Sequence, residues 1–110
     1  MERFIKGDIV VVPFPFSNLT ISKRRPALVI SALSGDDLIL CQITSQNIRD
    51  EYAVALDIVD FDSGGLNKFS NIRPNRLFMA DHNIVLYKVG HLKSAKLSFV
   101  LEALFDILMN

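Results

Sequence analysis

Three short apolar runs stand within the first 46 residues, and they restrict the fold more than any other feature of the chain. GDIVVVPF at 7–14, PALVIS at 26–31 and DLILCQITSQ at 37–46 are rich in β-branched residues and are bounded by prolines, glycines or polar residues. Runs of this length and composition are typical of strands. Polar connections rather than helices separate them, so the sequence predicts antiparallel β-structure.

The middle of the chain carries further strand patterns. YAVAL at 52–56, SNIRPNRLF at 70–78 and IVLYKVGHL at 84–92 are enriched in residues that favour strands. Turn formers separate them, with a Gly-Gly pair at 64–65 and the segment ADHN at 80–83. The sequence therefore predicts a mainly β architecture as far as this last strand.

The last 17 residues change to a helical period. Apolar residues recur there at spacings of three and four positions, as in an amphipathic helix. These positions are Leu97, Val100, Leu101, Leu104 and Leu108. Ser94 is expected to cap the N-terminus of the helix. Because the 110 residues are 50% hydrophobic, we expect one domain over residues 1–110 that needs neither a metal nor a disulfide to fold.

The charges of the chain balance overall but are unevenly distributed. Twelve basic residues stand against twelve acidic ones, which argues against a histone-like nucleic-acid binder or a membrane-surface protein. Segment 50–62 holds five acidic residues and no basic one, whereas in 63–98 six basic residues stand against Asp81 alone. The sequence therefore predicts two oppositely charged surfaces.

Several classes of site have no support in the sequence. Cys41 is the single cysteine, so it cannot form an intramolecular disulfide and is expected to be a small buried residue. His82 and His91 lie in unlike contexts without metal-ligand spacing, and we expect structural roles for them and no metal or other cofactor. With no signal-peptide pattern and no apolar run of membrane-spanning length, we expect a soluble cytoplasmic protein without membrane contact.

The densest cluster of positive charge precedes the second predicted strand, in KRRPALVIS at 23–31. A solvated turn is the ordinary explanation for Arg24 and Arg25. Pro26, however, biases Arg25 toward an extended conformation, which holds its guanidinium close to the end of a strand. A guanidinium held in this way presents a planar set of donors suited to a phosphate.

Thr44 ends the third predicted strand and is followed by Ser45 and Gln46. Taken alone, it is an ordinary strand residue. If the strands at 26–31 and 37–45 form a hairpin, the start of the first lies opposite the end of the second. That pairing predicts Arg25 and Thr44 at the same edge of the sheet, with a cation and a hydroxyl directed at one ligand.

Taken in order, the sequence blocks are similar to those of one protein family. GDIVVVPFPF, KRRPALVIS, QITSQ, SNIRPNRLF followed by Asp81, and KVGHL before a leucine-rich helix resemble the MazF/PemK toxins of bacterial type II toxin–antitoxin pairs, over residues 7–108. The resemblance implies an SH3-like β-barrel of the CcdB/PemK type with a C-terminal α-helix, and a homodimer. SNLTISKRR replaces the glycine-rich stretch of many members, which places the chain closer to the PemK-like branch.

The resemblance also implies an activity, namely sequence-selective cleavage of single-stranded mRNA without a metal ion. In such enzymes the ribose 2′-hydroxyl attacks the adjacent phosphate and leaves a 2′,3′-cyclic phosphate and a 5′-hydroxyl. The catalytic residues of the family fall on Arg25 and Thr44. The residues expected to bind RNA are Ser17, Asn18, Lys23, Arg24, Ser45, Gln46, Asn75 and Arg76. A cognate antitoxin with an acidic, partly disordered segment is expected to bind the same basic surface.

Two alternatives remain compatible with the sequence. CcdB toxins share the expected fold but bind DNA gyrase without acting as enzymes, and such a protein has no use for the pair Arg25 and Thr44. The other alternative is a homologue that has lost catalysis and only binds RNA or an antitoxin. Incubation of the protein with RNA separates these possibilities.

Overall fold

A curled antiparallel sheet of seven strands is the main element of the computed structural model, which describes residues 3–14, 23–48 and 50–110. The strands are β1 (Asp8–Phe14), β2 (Lys23–Ala32), β3 (Asp37–Thr44), β4 (Val54–Leu56), β5 (Phe61–Gly64), β6 (Ser70–Asp81) and β7 (Tyr87–Leu92). Their order across the sheet is β4-β6-β3-β2-β1-β7-β5. Helix α1 (Ser94–Leu108) follows the last strand. The predicted mainly β class, an SH3-like barrel with a C-terminal helix, is confirmed.

The central strands are buried on both faces, which explains their nearly continuous apolar runs. On β1, Ile9 belongs to one hydrophobic cluster and its neighbour Val10 to another. The first cluster includes Val100 and Leu104, the two buried residues of α1. The second cluster is bordered by Phe4 and by residues near the connection between β6 and β7. The two faces of the sheet are therefore covered by apolar layers, which leaves the ends of its strands available for a binding site.

Strand β2 begins earlier than the sequence predicted. Lys23 pairs with Phe14, and Arg25 pairs with Val12, so the three cations at 23–25 lie in a strand and not in a loop. Pairing with β3 starts only at Ala27. Pro26 is consequently tolerated inside β2, because this part of the strand is paired with β1 alone. Lys23 and Arg24 therefore do not belong to the polar connection that the sequence predicted between the first two strands.

Two details of the second half of the chain also differ from prediction. The N-cap of α1 is Lys93, without a side-chain capping bond, and Ser94 is the first helical residue. Leu108 is 67% exposed and does not continue the buried stripe. The sequence patterns did not reveal the short strand β5 or the 3₁₀ turn that precedes it at Ile58–Asp60. Short elements of this kind depend on pairing with a distant strand, here β7.

The predicted separation into an acidic and a basic surface is wrong for two of the cations. The Nη2 atom of Arg73 lies 2.9 Å from Oδ2 of Asp50, and the Nζ atom of Lys96 lies 3.5 Å from Oδ2 of Asp60. Each of these pairs joins the acidic segment 50–62 to the basic segment 63–98. The two charged segments are therefore partly interlocked by folding.

The two histidines are engaged in different parts of the fold. His91 Nδ1 lies 2.8 Å from Oδ1 of the buried Asp8, whose Oδ2 accepts a hydrogen bond from the Ile5 backbone N–H. His82 Nδ1 lies 3.5 Å from Oδ1 of Asp36.

Among the described residues, no cluster of three or more histidine, cysteine or acidic side chains forms a metal site. In the same part of the chain, no helix has the length and hydrophobicity required to cross a bilayer.

Cys41 is fully buried, and its Sγ donates to the backbone carbonyl of Arg73 at 2.8 Å. Burial raises the pKa of its thiol to about 12. Because only the thiolate reacts with alkylating agents, we expect iodoacetamide at pH 8 to modify Cys41 only in denaturant. Mass spectrometry of native and denatured samples checks this, and rapid native modification would show that this region opens readily.

Candidate functional site

Arg25 and Thr44 line the same two cavities. The pairing of β2 with β3 ends with Ala27 opposite Gln42, and Arg25 and Thr44 each lie two residues beyond this last pair, on β2 and β3. The two cavities flank this pair and measure about 310 Å³ and 290 Å³. The structure thus brings the predicted cation and hydroxyl together at the end of the sheet.

The larger cavity lies between β2, β3 and β6, and we name it the Arg73 cavity. Phe14 and Ile48 contribute apolar walls to it. Its polar lining residues are Lys23, Arg25, Gln42, Thr44, Gln46 and Arg73. Amide groups and cations therefore surround a space at the small end of the range for ligand pockets.

The smaller cavity, named the Lys68 cavity, lies on the other side of Arg25 and Thr44. The segment before β6 contributes Leu66, Asn67 and Lys68 to its wall. Arg24 and Ser45 also line it, and the guanidinium carbon of Arg24 stands 5.9 Å from the ring centroid of Tyr87. This contact holds Arg24 against the sheet by a cation–π interaction.

The lining of the two cavities is strongly positive. The charged residues that contribute to one or both are Lys23, Arg24, Arg25, Lys68 and Arg73. Among the described residues, no carboxylate lines either cavity, although the whole chain has no net charge. This concentration of cations suits an extended polyanion that passes through both cavities.

The hydroxyl of Thr44 is oriented by the backbone that follows it. Its Oγ1 accepts a hydrogen bond from the Gln46 N–H at 3.1 Å. The Gln46 carbonyl in turn accepts from Nδ2 of Asn71 at 3.3 Å. Because the backbone bond uses a lone pair of the hydroxyl, the O–H hydrogen of Thr44 is available for donation to a ligand.

The structure brings most of the predicted site residues to this region. Lys23 and Gln46 line the Arg73 cavity, and Arg24 and Ser45 line the Lys68 cavity. Predicted residues Ser17 and Asn18 lie outside the described residues.

Asn75 and Arg76 do not line either cavity. They fall where the register of β6 shifts, since Cys41 faces Leu77 whereas the next residue of β3 faces Arg73. The side chain of Asn75 lies beside Asp50, with its Nδ2 3.4 Å from Oδ2, and Arg76 is exposed. Arg76, which the sequence predicted as an RNA-binding residue, lies in this bulge and does not reach the two cavities.

Sequence reasoning missed three polar residues that face the pair Arg25 and Thr44. Gln42 and Arg73 are cross-strand partners on β3 and β6, and Lys68 precedes β6. Lys68 and Arg73 stood out only as members of a basic segment. Their placement depends on β6 lying beside β3, which no local pattern indicates.

Comparison with known families decides the assignment. Residues 5–108 match the family model described as PemK-like, MazF-like toxin of type II toxin–antitoxin system. The chain belongs to this family. The resemblance based on sequence blocks is therefore confirmed, and it extends over nearly the whole chain. None of the curated proteins shows significant similarity to the sequence.

Solved toxin structures share the fold of this family member. MazF from Deinococcus radiodurans is similar with 20% identity, a TM-score of 0.74 and full coverage of both chains, 100% each. A mycobacterial endoribonuclease in complex with its cognate antitoxin is similar with 14% identity and a TM-score of 0.75, over 99% of this chain and 96% of that one. Mycobacterium tuberculosis toxin MazF-mt6 has 17% identity and a TM-score of 0.74, with 93% and 96% covered.

Proposed function

We propose that this toxin-family protein is an endoribonuclease that cleaves single-stranded mRNA at selected sequences. The single observation that carries the proposal is the placement of Arg25 and Thr44 between two cation-lined cavities. Family membership over residues 5–108 supports it, as does the shared fold with mycobacterial proteins described as endoribonucleases. A strand of RNA placed across both cavities has one phosphate next to this pair.

Arg25 and Thr44 act on that phosphate as donors. The guanidinium of Arg25 stabilises the negative charge that grows on the non-bridging oxygens as the phosphorus becomes five-coordinate. The O–H of Thr44 donates to one of the same oxygens and fixes its orientation. Since a guanidinium stays protonated at neutral pH, Arg25 serves as an electrostatic stabiliser rather than as a general base.

The nucleophile comes from the substrate. The ribose 2′-hydroxyl gives its proton to solvent water, the O2′–P bond forms as the P–O5′ bond breaks, and the departing 5′-oxygen takes up a proton from solvent water. The products are a 2′,3′-cyclic phosphate and a 5′-hydroxyl. A reaction of this kind needs no serine, cysteine or metal-bound water, in keeping with a cavity lining made of cations, amides and hydroxyls. DNA lacks the 2′-hydroxyl and is not a substrate.

A cognate antitoxin is the second proposed partner. The mycobacterial structure contains an endoribonuclease with its cognate antitoxin, and two of the similar Deinococcus radiodurans structures contain MazE with MazF. An acidic antitoxin segment lying over Arg25 and the neighbouring cations competes with RNA for one surface. Assembly as a homodimer is proposed from the family resemblance, and light scattering of the purified protein tests it.

Cleavage of a long transcript in EDTA tests the proposed activity. We expect cuts at a restricted set of sequences, with cyclic-phosphate and 5′-hydroxyl ends. A short RNA spanning one mapped cut, with a single 2′-deoxy nucleotide before the scissile phosphate, is expected to remain intact, because the nucleophile is missing. Intact transcript together with inhibition of gyrase supercoiling would instead identify a CcdB-like inhibitor, and RNA binding without cleavage would identify an inactive homologue.

A further inference from the structure

The ion pair between Arg73 and Asp50 lies beside the pair Arg25 and Thr44, and it is more buried than an ordinary ion pair on a protein surface. Nη2 of Arg73 bonds Oδ2 of Asp50 at 2.9 Å, and the side chains are only 16% and 28% exposed. The Nε–H of Arg73 is buried and has no hydrogen-bond partner among the described residues. One edge of the guanidinium is therefore fixed by Asp50, while the group as a whole lines the Arg73 cavity.

Asp50 is itself held in place on its other side. Its Oδ1 accepts hydrogen bonds from the backbone N–H groups of Tyr52 and Ala53, at 3.1 Å and 3.0 Å. The Arg73 bond and these backbone donors lower the pKa of Asp50 below its usual value of 3.8. The carboxylate is therefore charged at neutral pH and anchored to the backbone of its loop. Such an anchor fixes the direction in which the Arg73 guanidinium points.

The surroundings of Arg73 favour a nucleobase as its ligand over a phosphate. Asp50 offsets much of the positive charge that would attract a phosphate, but it leaves the planar donor geometry intact. Gln42 faces Arg73 across β3 and β6, and Gln46 lines the same cavity. Amides and guanidinium groups are the side chains that recognise donor and acceptor patterns on base edges. Phe14 adds an aromatic wall to the cavity.

We propose that Arg73 contacts the edge of the nucleobase next to the scissile phosphate and that Asp50 is the positioning residue that holds the Arg73 guanidinium for this contact. This inference rests on the proposed function, because it names the part of the site that selects the RNA sequence. Arg25 and Thr44 determine which bond is cleaved, and Arg73 determines one base of the cleaved motif.

Three variants separate base recognition from simple attraction of RNA. Asp50→Asn removes the charge but keeps an oxygen that accepts from Tyr52 and Ala53. Arg73→Lys keeps the charge but loses the planar fork. Glu51→Gln is the matched control, because Glu51 is exposed, adjacent to Asp50 and forms no hydrogen bond or ion pair among the described residues.

The readout is the sequence profile of cut sites in a long transcript, mapped by sequencing of the 5′-hydroxyl ends. Both Asp50→Asn and Arg73→Lys are expected to lower discrimination at one and the same motif position by about 10-fold. Glu51→Gln is expected to leave the profile unchanged, and Asp50→Glu to restore part of the preference. Thermal unfolding of each variant shows whether the fold is retained.

The Asp50→Asn variant distinguishes base recognition from charge attraction, because a positioning role predicts a changed cut-site profile and charge alone predicts a general change in cleavage. Loss of a negative charge near RNA strengthens binding when charge alone matters. If Asp50→Asn increases cleavage equally at all sites, or if either variant weakens cleavage equally at all sites, so that the profile is unchanged, the inference is wrong. An unchanged profile in Arg73→Lys at full activity also overturns it.

A binding experiment tests this inference independently of the proposed cleavage activity. A random pool of 2′-O-methyl RNA oligonucleotides cannot be cleaved by 2′-hydroxyl attack, so selection by the wild-type protein followed by sequencing reports binding preference alone. A preference that Arg73→Lys and Asp50→Asn both relax supports the inference even if the wild-type protein proves inactive. A wild-type preference that neither variant alters refutes it even if the protein cleaves RNA.

Discussion

Replacing Arg25 with alanine is expected to lower the rate of RNA cleavage by about 10³-fold, because the substitution removes the proposed stabiliser of charge on the attacked phosphate. Arg25 is half-buried between the two cavities, and in the part of the chain that the structure describes no other cation lines both of them. Single-turnover cleavage of an RNA that carries one mapped site measures the effect. Arg25→Lys is expected to recover only part of the rate, since an ammonium group lacks the planar donor pair.

A control variant distinguishes loss of catalysis from loss of charge. Lys88 is exposed on β7 and lines neither cavity, and its side chain forms no hydrogen bond or ion pair among the described residues. Lys88→Ala therefore removes one positive charge with little expected change in rate. If Arg25→Ala retains wild-type cleavage while thermal unfolding is unchanged, Arg25 is not a catalytic residue.

Thr44→Val is expected to slow the same single-turnover reaction by about 10²-fold, as is typical when one oxyanion donor is removed. Valine preserves the shape of the side chain and its preference for a strand but lacks the hydroxyl. Thr44→Ser is the matched variant, because serine still accepts from Gln46 and still donates to a phosphate.

The difference between the valine and serine variants identifies the role of the hydroxyl. Near wild-type cleavage by Thr44→Ser and slow cleavage by Thr44→Val locate the effect in the O–H group. Equal rates for both would show that Thr44 is only a strand residue, the ordinary interpretation of a threonine in this position. Thermal unfolding checks that loss of the bond to Gln46 does not disrupt the end of β3.

The pair Arg25 and Thr44 shows what local sequence patterns can predict about the site. The apolar runs at 26–31 and 37–45 indicated two adjacent strands that could form a hairpin, and its register follows from alternation between two buried clusters. Arg25 and Thr44 meet for that reason. The same patterns misplaced the start of β2. Its first three residues are cations without an apolar strand pattern, and they belong to the strand because they pair with β1, as Lys23 does with Phe14.

Arg73 and Asp50 show the opposite case. They are separated by β4, β5 and the turn between them, and they meet because β6 pairs with β3 on one side and β4 on the other. A bulge in β6 then decides that Arg73 enters the cavity while Arg76 stays outside it. Neither the pairing nor the bulge has a local signal in the sequence.

By itself, the sequence determined the mainly β class with a C-terminal helix, the family, and the adjacent placement of Arg25 and Thr44. Each of these depends on short-range periodicity or on the order of sequence blocks. The tertiary structure alone decided the composition of the two cavities, the interlocking of acidic and basic segments, and the anchoring of Arg73 by Asp50. These features depend on strand pairings between distant segments, whose registers are set by the packing of both faces of the sheet.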